Sequence, residues 1–314
     1  MTQRSSSVAR VLLLLLVACG PVAAGPAVPA PTTPAATTRA AAFPVTVSDF
    51  QGRSVSIAAR PARIVSIGPS ITEYLFALGA GDRVVGVDDF SDQPAAAAKI
   101  DRVGGVKVNV EKVVSLRPDL ALSVKFSDGT IERMVAAGIN VLVVDPQSIG
   151  DVSRTAILVG RAVGADGGRL AADVDAKLQE VTQKVARATS KPRVLHEVDA
   201  SDPAKPFTVG PGSFIHDLIA LAGGTNVAAN APSAYPQLSL EEIVRADPEV
   251  IVLADGDYGV TVEQVSARPG WSGLSAVKNK KVFPIADSLV SRPGPRVGEA
   301  AEAYARLLHP ELFR

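Results

Sequence analysis

The chain alternates between short apolar runs and amphipathic stretches, and that alternation predicts an α/β fold. Residues 63–67, 83–87, 120–124 and 139–144 read as strands, apolar and β-branched. Between them, residues 70–78, 109–116 and 130–137 carry helical patterns. Strand, helix and strand in repeated succession is the order of a mostly parallel, doubly wound Rossmann-like sheet. The longest helical pattern follows at residues 166–190, with no proline and no glycine after Gly168. Leu170, Val174, Leu178, Val181, Val185 and Ala188 recur at steps of four, four, three, four and three, which makes one apolar stripe at the helical period. Asp166 offers a cap and Pro192 lies just past the end. Asp173 with Lys177, and Glu180 with Lys184, are acid-before-base pairs one turn apart that suit an exposed opposite face.

After this helix the same order returns. Residues 70–78 line up with 213–221, each opening on a serine placed to cap a helix after a Gly-Pro turn. Residues 109–120 line up with 239–250: cap, short helix, proline stop, acidic residue, buried strand. Residues 139–145 echo 281–287. Three echoes in one order predict two homologous α/β lobes, 44–165 and 191–314, joined once by the helix at 166–190. Two such sheets facing each other leave a cleft where strand ends and helix N-termini converge, the usual place for a ligand in open α/β folds.

The ends of the chain change the setting. Arg4 and Arg10 precede eight apolar residues, 11–18, which fall short of the ~20 needed to span a bilayer and have the shape of a secretory signal. Leu16-Val17-Ala18-Cys19 resembles the bacterial lipobox, which puts a lipoprotein signal at 1–18 and an acylated Cys19 at the mature terminus. An ordinary cut near Ala23 or Ala24 is the alternative. Cys19 is the only cysteine, so no disulfide forms within one chain. Residues 19–43 are mostly Pro, Ala, Thr and Gly, too poor in large apolar side chains to order themselves, and are expected to be a flexible tether. The protein is therefore expected to be exported and lipid-anchored, at the outer face of the cytoplasmic membrane or in a periplasm. Basic and acidic residues balance at 32 each with no basic run, which leaves no electrostatic footprint for nucleic acid.

Signs of catalysis are sparse. The three histidines, His196, His216 and His309, have no metal-ligand spacing, and there is no HExxH, no G-x-S-x-G and no P-loop. His196 and His216 are expected in the second lobe near the cleft side. The rival reading is an enzyme using the same cleft, for instance a hydrolase with Ser70 or Ser213 as nucleophile, but no base is placed for either and both suit helix caps better. The pattern points to capture of a ligand by a monomer that is not an enzyme.

The residues RIVSIGPSITEYLFALGAGDRVVGVDDFSDQP, NVEKVVSLRPDLAL, TVGPGSFIHDLIALAGGTNVA, YPQLSLEEIVRADPEVIVL and SRPGPRVGEAAEAYARLLHPEL resemble the substrate-binding proteins of ABC importers for cobalamin and ferric siderophores. The likeness runs from about Val45 to the C-terminus in the family's order. It implies two lobes on one rigid helix, no cofactor of the protein's own, a cobalt or iron chelate as cargo, and a membrane permease with its ATPase as partner. It also implies that Glu111 and Glu241, each seven residues before a proline (Pro118, Pro248), dock on permease arginines. A glutamate there also complements the helix dipole, and both roles can hold. For the cleft, the resemblance points to the turns after the strands: Pro69, Ser70, Asp89, Phe90, Lys125 and Phe126 in the first lobe, and Phe207, Tyr235, Tyr258 and Arg292 in the second. Phe90 and Tyr235 fall where cobalamin binders carry aromatic residues, whereas Val103-Gly104-Gly105-Val106-Lys107 has no tryptophan and Gln93 stands for a tyrosine. Haem-binding relatives share the scaffold. For haem, Tyr235, Tyr258, His196 and His216 are the candidate axial ligands. Trp271, Tyr74 and Tyr304 are expected in the scaffold or core.

Overall fold

The computed structural model describes residues 42–313, so the expected signal, Cys19 and most of the expected tether lie outside the described residues. Phe43, expected in the tether, packs against the core. A hairpin of β1 (Val45–Ser48) and β2 (Ser54–Ile57) leads into β3 (Ile64–Ile67), α1 (Pro69–Ala77), β4 (Val84–Val87), α2 (Val110–Ser115), β5 (Leu120–Ser123), α3 (Thr130–Ala136) and β6 (Val141–Val143). Strands β3 to β6 form a parallel sheet in the order β4-β3-β5-β6, apart from the β1–β2 hairpin. Two helices follow, α4 (Ile149–Val163) and α5 (Gly167–Val185).

The second lobe runs β7 (Arg193–Asp199), β8 (Phe207–Thr208), α6 (Phe214–Leu221), β9 (Thr225–Asn226), α7 (Leu240–Ala246), β10 (Val250–Leu253), α8 (Val262–Ser266), α9 (Ser275–Lys278), β11 (Val282–Pro284), α10 (Asp287–Val290) and α11 (Val297–Leu308). Its strands β7, β10 and β11 are parallel and adjacent in the same order as β3, β5 and β6, while the short β8 (antiparallel) and β9 (parallel) also pair with β7. Every residue of β3, β5 and β10 is buried, because both faces of each sheet are covered.

The sequence echoes become matched junctions. Arg117 and Asp247, each just before a proline, take left-handed φ values of 47° and 42°. In the first lobe Asp119 Oδ2 accepts the N–H groups of Ala62 and Arg63 at 2.7 and 2.8 Å, and the Arg63 guanidinium donates to the Leu116 carbonyl at the end of α2 at 2.9 and 2.7 Å. In the second, Glu249 accepts the Arg193 N–H at 3.0 Å, and the Arg193 guanidinium donates to the Ala246 and Asp247 carbonyls at the end of α7 at 3.0 and 2.8 Å. An arginine at the foot of β3 in one lobe and of β7 in the other thus satisfies the free carbonyls of the corresponding helix, α2 or α7.

The connecting helix is shorter than the apolar stripe predicts. Asp166 caps it through the Arg169 N–H at 3.1 Å, and it ends at Val185, which leaves Ala188 beyond it. Val174, Leu178 and Val181 are buried in a core cluster that runs continuously from Val47 of the first lobe to Leu308 of the second. Glu180 pairs with Lys184 at 2.8 Å as expected, but Lys177 crosses to Glu302 of α11 at 2.6 Å instead of pairing with Asp173. Helix α4, absent from the sequence-based expectation, opens on a capping box between Ser148 and Asp151 and packs closely on α5. At Gly167 an added Cβ would lie 2.1 Å from the Ala156 carbonyl, and at Gly160 it would lie 2.5 Å from the Gly167 nitrogen. Only glycines let these two backbones approach so closely.

Candidate functional site

The carboxyl ends of β3, β5 and β6 open onto a cavity of about 240 Å3 between the lobes. The first lobe contributes Pro69, Ser70, Val124, Asp145 and Gln147, and the second Phe214, Ile215, Tyr235, Ser291 and Arg292. Four of the expected cleft residues, Pro69, Ser70, Tyr235 and Arg292, therefore meet here.

The floor is the turn from β3 into α1. The expectation that Ser70 caps this helix is corrected: Gly68 is the cap residue, with φ 144°, Pro69 opens the helix, and Ser70 is buried against the cavity. Glycine is required, since a Cβ at 68 would lie 2.8 Å from Val124 Cγ1. Ser213 does cap its helix, accepting the His216 N–H at 3.2 Å. The neighbouring loop is fastened by Asp88, a buried residue the sequence reading passed over. Its carboxylate accepts the Gly68 N–H at 2.8 Å, the Phe90 N–H at 2.8 Å and the Ser91 hydroxyl at 2.7 Å. Three donors on one carboxylate hold Asp89 and Phe90 in place, with Phe90 53% exposed and its ring over Gly105.

The other expected residues disperse. Lys125 is exposed and sits near Asp145, whose carboxyl burial pushes upward. Phe126 packs onto the first-lobe core, and Phe207 lies in β8; neither borders the cavity. Tyr258 is 77% exposed, donates to Asp287 Oδ2 at 3.1 Å and borders a separate cavity of the second lobe. Arg292 is a clasp as well as a wall. Its guanidinium reaches across to Asp92 at 2.6 Å, the Phe90 carbonyl at 3.2 Å and Glu73 at 3.3 Å. Asp145, Gln147, Phe214 and Ile215 were missed as cleft residues. The echo of residues 139–145 with 281–287 already placed Asp145 at a strand end, and the capping serine placed Phe214 at a helix start.

The histidines are engaged elsewhere. His196, fully buried on β7, pairs through Nδ1 with the Tyr304 hydroxyl, and burial pushes its pKa down to about 3. It is a core residue and not a cleft ligand, since its place on β7 turns it toward α11. His216 Nδ1 accepts from Asn226 Nδ2 at 3.0 Å, and His309 is buried beside the Gly223 carbonyl. Among the described residues no three His, Cys, Asp or Glu side chains gather to hold a metal ion. Trp271, Tyr74 and Tyr304 are all buried in the scaffold.

On the outer surface Glu111 and Glu241 stand exposed in the first turns of α2 and α7, helices capped by Asn109 and Ser239. Both carboxylates therefore occupy the favoured end of a helix dipole in matched frames. Glu241 carries an ion pair with Arg245 at 2.9 Å on the exposed face.

Residues 64–289 match the family described as periplasmic binding protein. An uncharacterized ABC transporter substrate-binding lipoprotein of Bacillus subtilis (strain 168) is 35% identical over 279 residues, 87% of this chain and 88% of that one. A cobalamin-binding protein of Halobacterium salinarum is 31% identical, covering 85% of this chain and 75% of its own. Among solved structures, the periplasmic heme-binding protein RhuT from Roseiflexus sp. RS-1 superposes with a TM-score of 0.74 at 27% identity, over 80% of this chain and 98% of that one. Two parallel-sheet lobes, a cleft at their strand ends and these likenesses agree: the chain belongs to the periplasmic binding protein family, as a substrate-binding component of an ABC importer.

Proposed function

We propose that the protein captures a metal chelate, a corrinoid or an iron complex, in the cleft between its lobes and delivers it to a two-fold permease through Glu111 and Glu241. The observation that carries the reading is the matched framing of these glutamates, each in the first turn of a helix whose last carbonyls receive the guanidinium of Arg63 or Arg193. Pseudo-symmetric lobes offer pseudo-symmetric charges, which a two-fold partner can use twice. The first lobe spans 44–165 and the second 191–314, the helix between them limits closure, and Cys19 with the tether that follows it, ending before Phe43, holds the body at the membrane surface.

A thermal-shift titration of residues 45–314 against cobalamin, haemin and several ferric siderophores tests the cargo. A specific ligand at a hundred times its Kd stabilises the fold by about 2.7 kcal/mol, while no response to any of them removes the chelate reading.

Haem is the second reading, favoured by the likeness to the heme-binding protein of Roseiflexus. With His196 and His216 engaged internally, the axial ligand falls to Tyr235 or Tyr258, 56% and 77% exposed. A Soret band lost on Tyr235→Phe or Tyr258→Phe supports this reading. Haemin binding without axial tyrosine ligation counts against it.

A further inference from the structure

The echo between residues 109–120 and 239–250 puts α2 and α7 in register, residue against residue. Glu111 with Glu241, Val114 with Val244, and Ser115 with Arg245 are the helix positions exposed in both lobes. The first two pairs carry the same residue, and the third does not. Val114 and Val244, 40% and 49% exposed, lie one turn beyond the glutamates on the same helix face. Core packing does not explain them, because Val113 and Ile243 fill the core positions of these helices and are buried. Helix stability does not either, since valine is a poorer helix former than the polar residues that usually cover such a face. One exposed valine is ordinary on any surface. The same valine beside the same glutamate in both lobes calls for a common partner. The neighbouring polar groups are turned to their own lobes. Lys112 reaches Asp101 at 2.8 Å, Ser115 donates to the Lys112 carbonyl at 2.7 Å, and Glu242 accepts the Ser239 N–H and hydroxyl at 2.8 and 2.7 Å.

We infer that Val114 and Val244 are contact residues for the importer's permease, each seated in an apolar hollow beside the cation that receives Glu111 or Glu241. The inference rests on the docking reading above and adds the apolar half of the surface. An exposed ion pair contributes little by itself, because water screens it and two long side chains must be ordered to make it. A valine held against the permease one turn away keeps water from the pair and buries apolar surface of its own. The partner that fits is therefore two-fold, and each of its halves offers a basic group bordered by aliphatic or aromatic side chains.

The test measures binding of the immobilised full chain, without cargo, to the importer's own detergent-solubilised permease and ATPase complex by biolayer interferometry. Val114→Thr and Val244→Thr keep the shape of the side chain and add a hydroxyl that an apolar hollow leaves unpaired. Each is expected to weaken docking about threefold or more, and the two together about tenfold or more. The thermal midpoint of the free protein should not move, because both positions are exposed. Salt separates the valines from the glutamates. Added salt should weaken docking of the double valine variant as steeply as that of the wild type, whereas Glu111→Ala with Glu241→Ala should flatten the dependence. Wild-type affinity in the double valine variant overturns the inference, and the glutamate docking still stands if its own double variant binds weakly. A loss at only one of the two valines also overturns it, since a two-fold partner uses both. Weak binding by the valine variant beside wild-type binding by the glutamate variant keeps the apolar contact and removes the glutamate docking.

Discussion

Glu73 of α1 receives Arg296 from the other lobe as a fork, Nε to Oε2 at 2.9 Å and Nη2 to Oε1 at 2.8 Å. Arg292 adds a third contact to the same carboxylate at 3.3 Å, and the Glu73 side chain is only 4% exposed. Two guanidinium groups of the second lobe thus share one buried acid of the first, and the lobes are clasped beside the cleft as well as joined by α5. A bidentate, charge-assisted pair is strong for its size, and removing one partner leaves the other desolvated. Glu73→Gln is expected to cost about 3 kcal/mol, read as a lower urea midpoint. An unchanged midpoint would mean that the clasp contributes nothing to holding the lobes together.

Two glycines of the helical pair should respond with opposite signs. Gly167→Ala forces a methyl group onto the Ala156 carbonyl, 2.1 Å from the ideal Cβ position, and should lower stability by about 1–3 kcal/mol or more as α4 and α5 move apart. Gly150→Ala, in the first turn of α4, meets nothing nearer than Ser148 Oγ at 3.8 Å and should raise stability by up to about 1 kcal/mol. Thermal unfolding of both variants checks the pair, and a shift of the same sign in both would refute this account of the α4–α5 contact.

The strands, the repeat and the connecting helix were legible because each is written locally. A β-branched apolar run, a proline stop or a four-three stripe records a constraint within a few residues. The left-handed positions Arg117 and Asp247 were not announced by glycine, but they fall at the same place in the longest echo. What stayed hidden is non-local. Glu73 and Arg296 are 223 residues apart, and nothing in either segment signals the other. Ser70 misled because Pro69 and Gly68 before it look like an ordinary turn, whereas the close approach of Val124 decides which residue must lack a Cβ. Ala188 continues a helical spacing, but the helix has already ended at Val185. The cleft itself was located by strand ends, yet Phe126 and Phe207 show that a residue after a strand can as easily pack inward or pair in the sheet.

His196 supplies a pH dependence with a definite sign. Its pKa is near 6.5 in the unfolded chain and pushed down to about 3 when folded, because burial disfavours the cation. Between these values the unfolded state binds a proton that the native state does not, so stability falls as pH drops below about 6.5, by up to about 1.4 kcal/mol per pH unit from this group. The loss continues until the native histidine protonates near pH 3. His196→Asn should be less stable at pH 7, where its Tyr304 partner loses the imidazole, but its stability should fall less steeply from about pH 6 to about pH 4. Parallel stability profiles for variant and wild type would show that His196 does not set the acid limb.

The proposed docking roles of Glu111 and Glu241 are separable from the proposed cargo capture. Both carboxylates are exposed on α2 and α7, and neither borders the cleft cavity. Their frames are held from within, by Arg63 and Asp119 in one lobe and Arg193 and Glu249 in the other, so substitution at the tips leaves the helices anchored. Glu241 already has Arg245 as a local partner, exposed with it and therefore weakly bound, and a permease arginine can exchange for it at little cost. If the two glutamates act as a symmetric pair, either single replacement by alanine weakens stimulation of the transporter's ATPase, the double replacement abolishes it, and chelate affinity stays unchanged in all three. Charge reversal of both should also be suppressed by reversing the matching permease arginines, an outcome that simple loss of helix-dipole stabilisation does not produce. Full ATPase stimulation by the double alanine variant would instead reduce Glu111 and Glu241 to first-turn glutamates that stabilise their own helices.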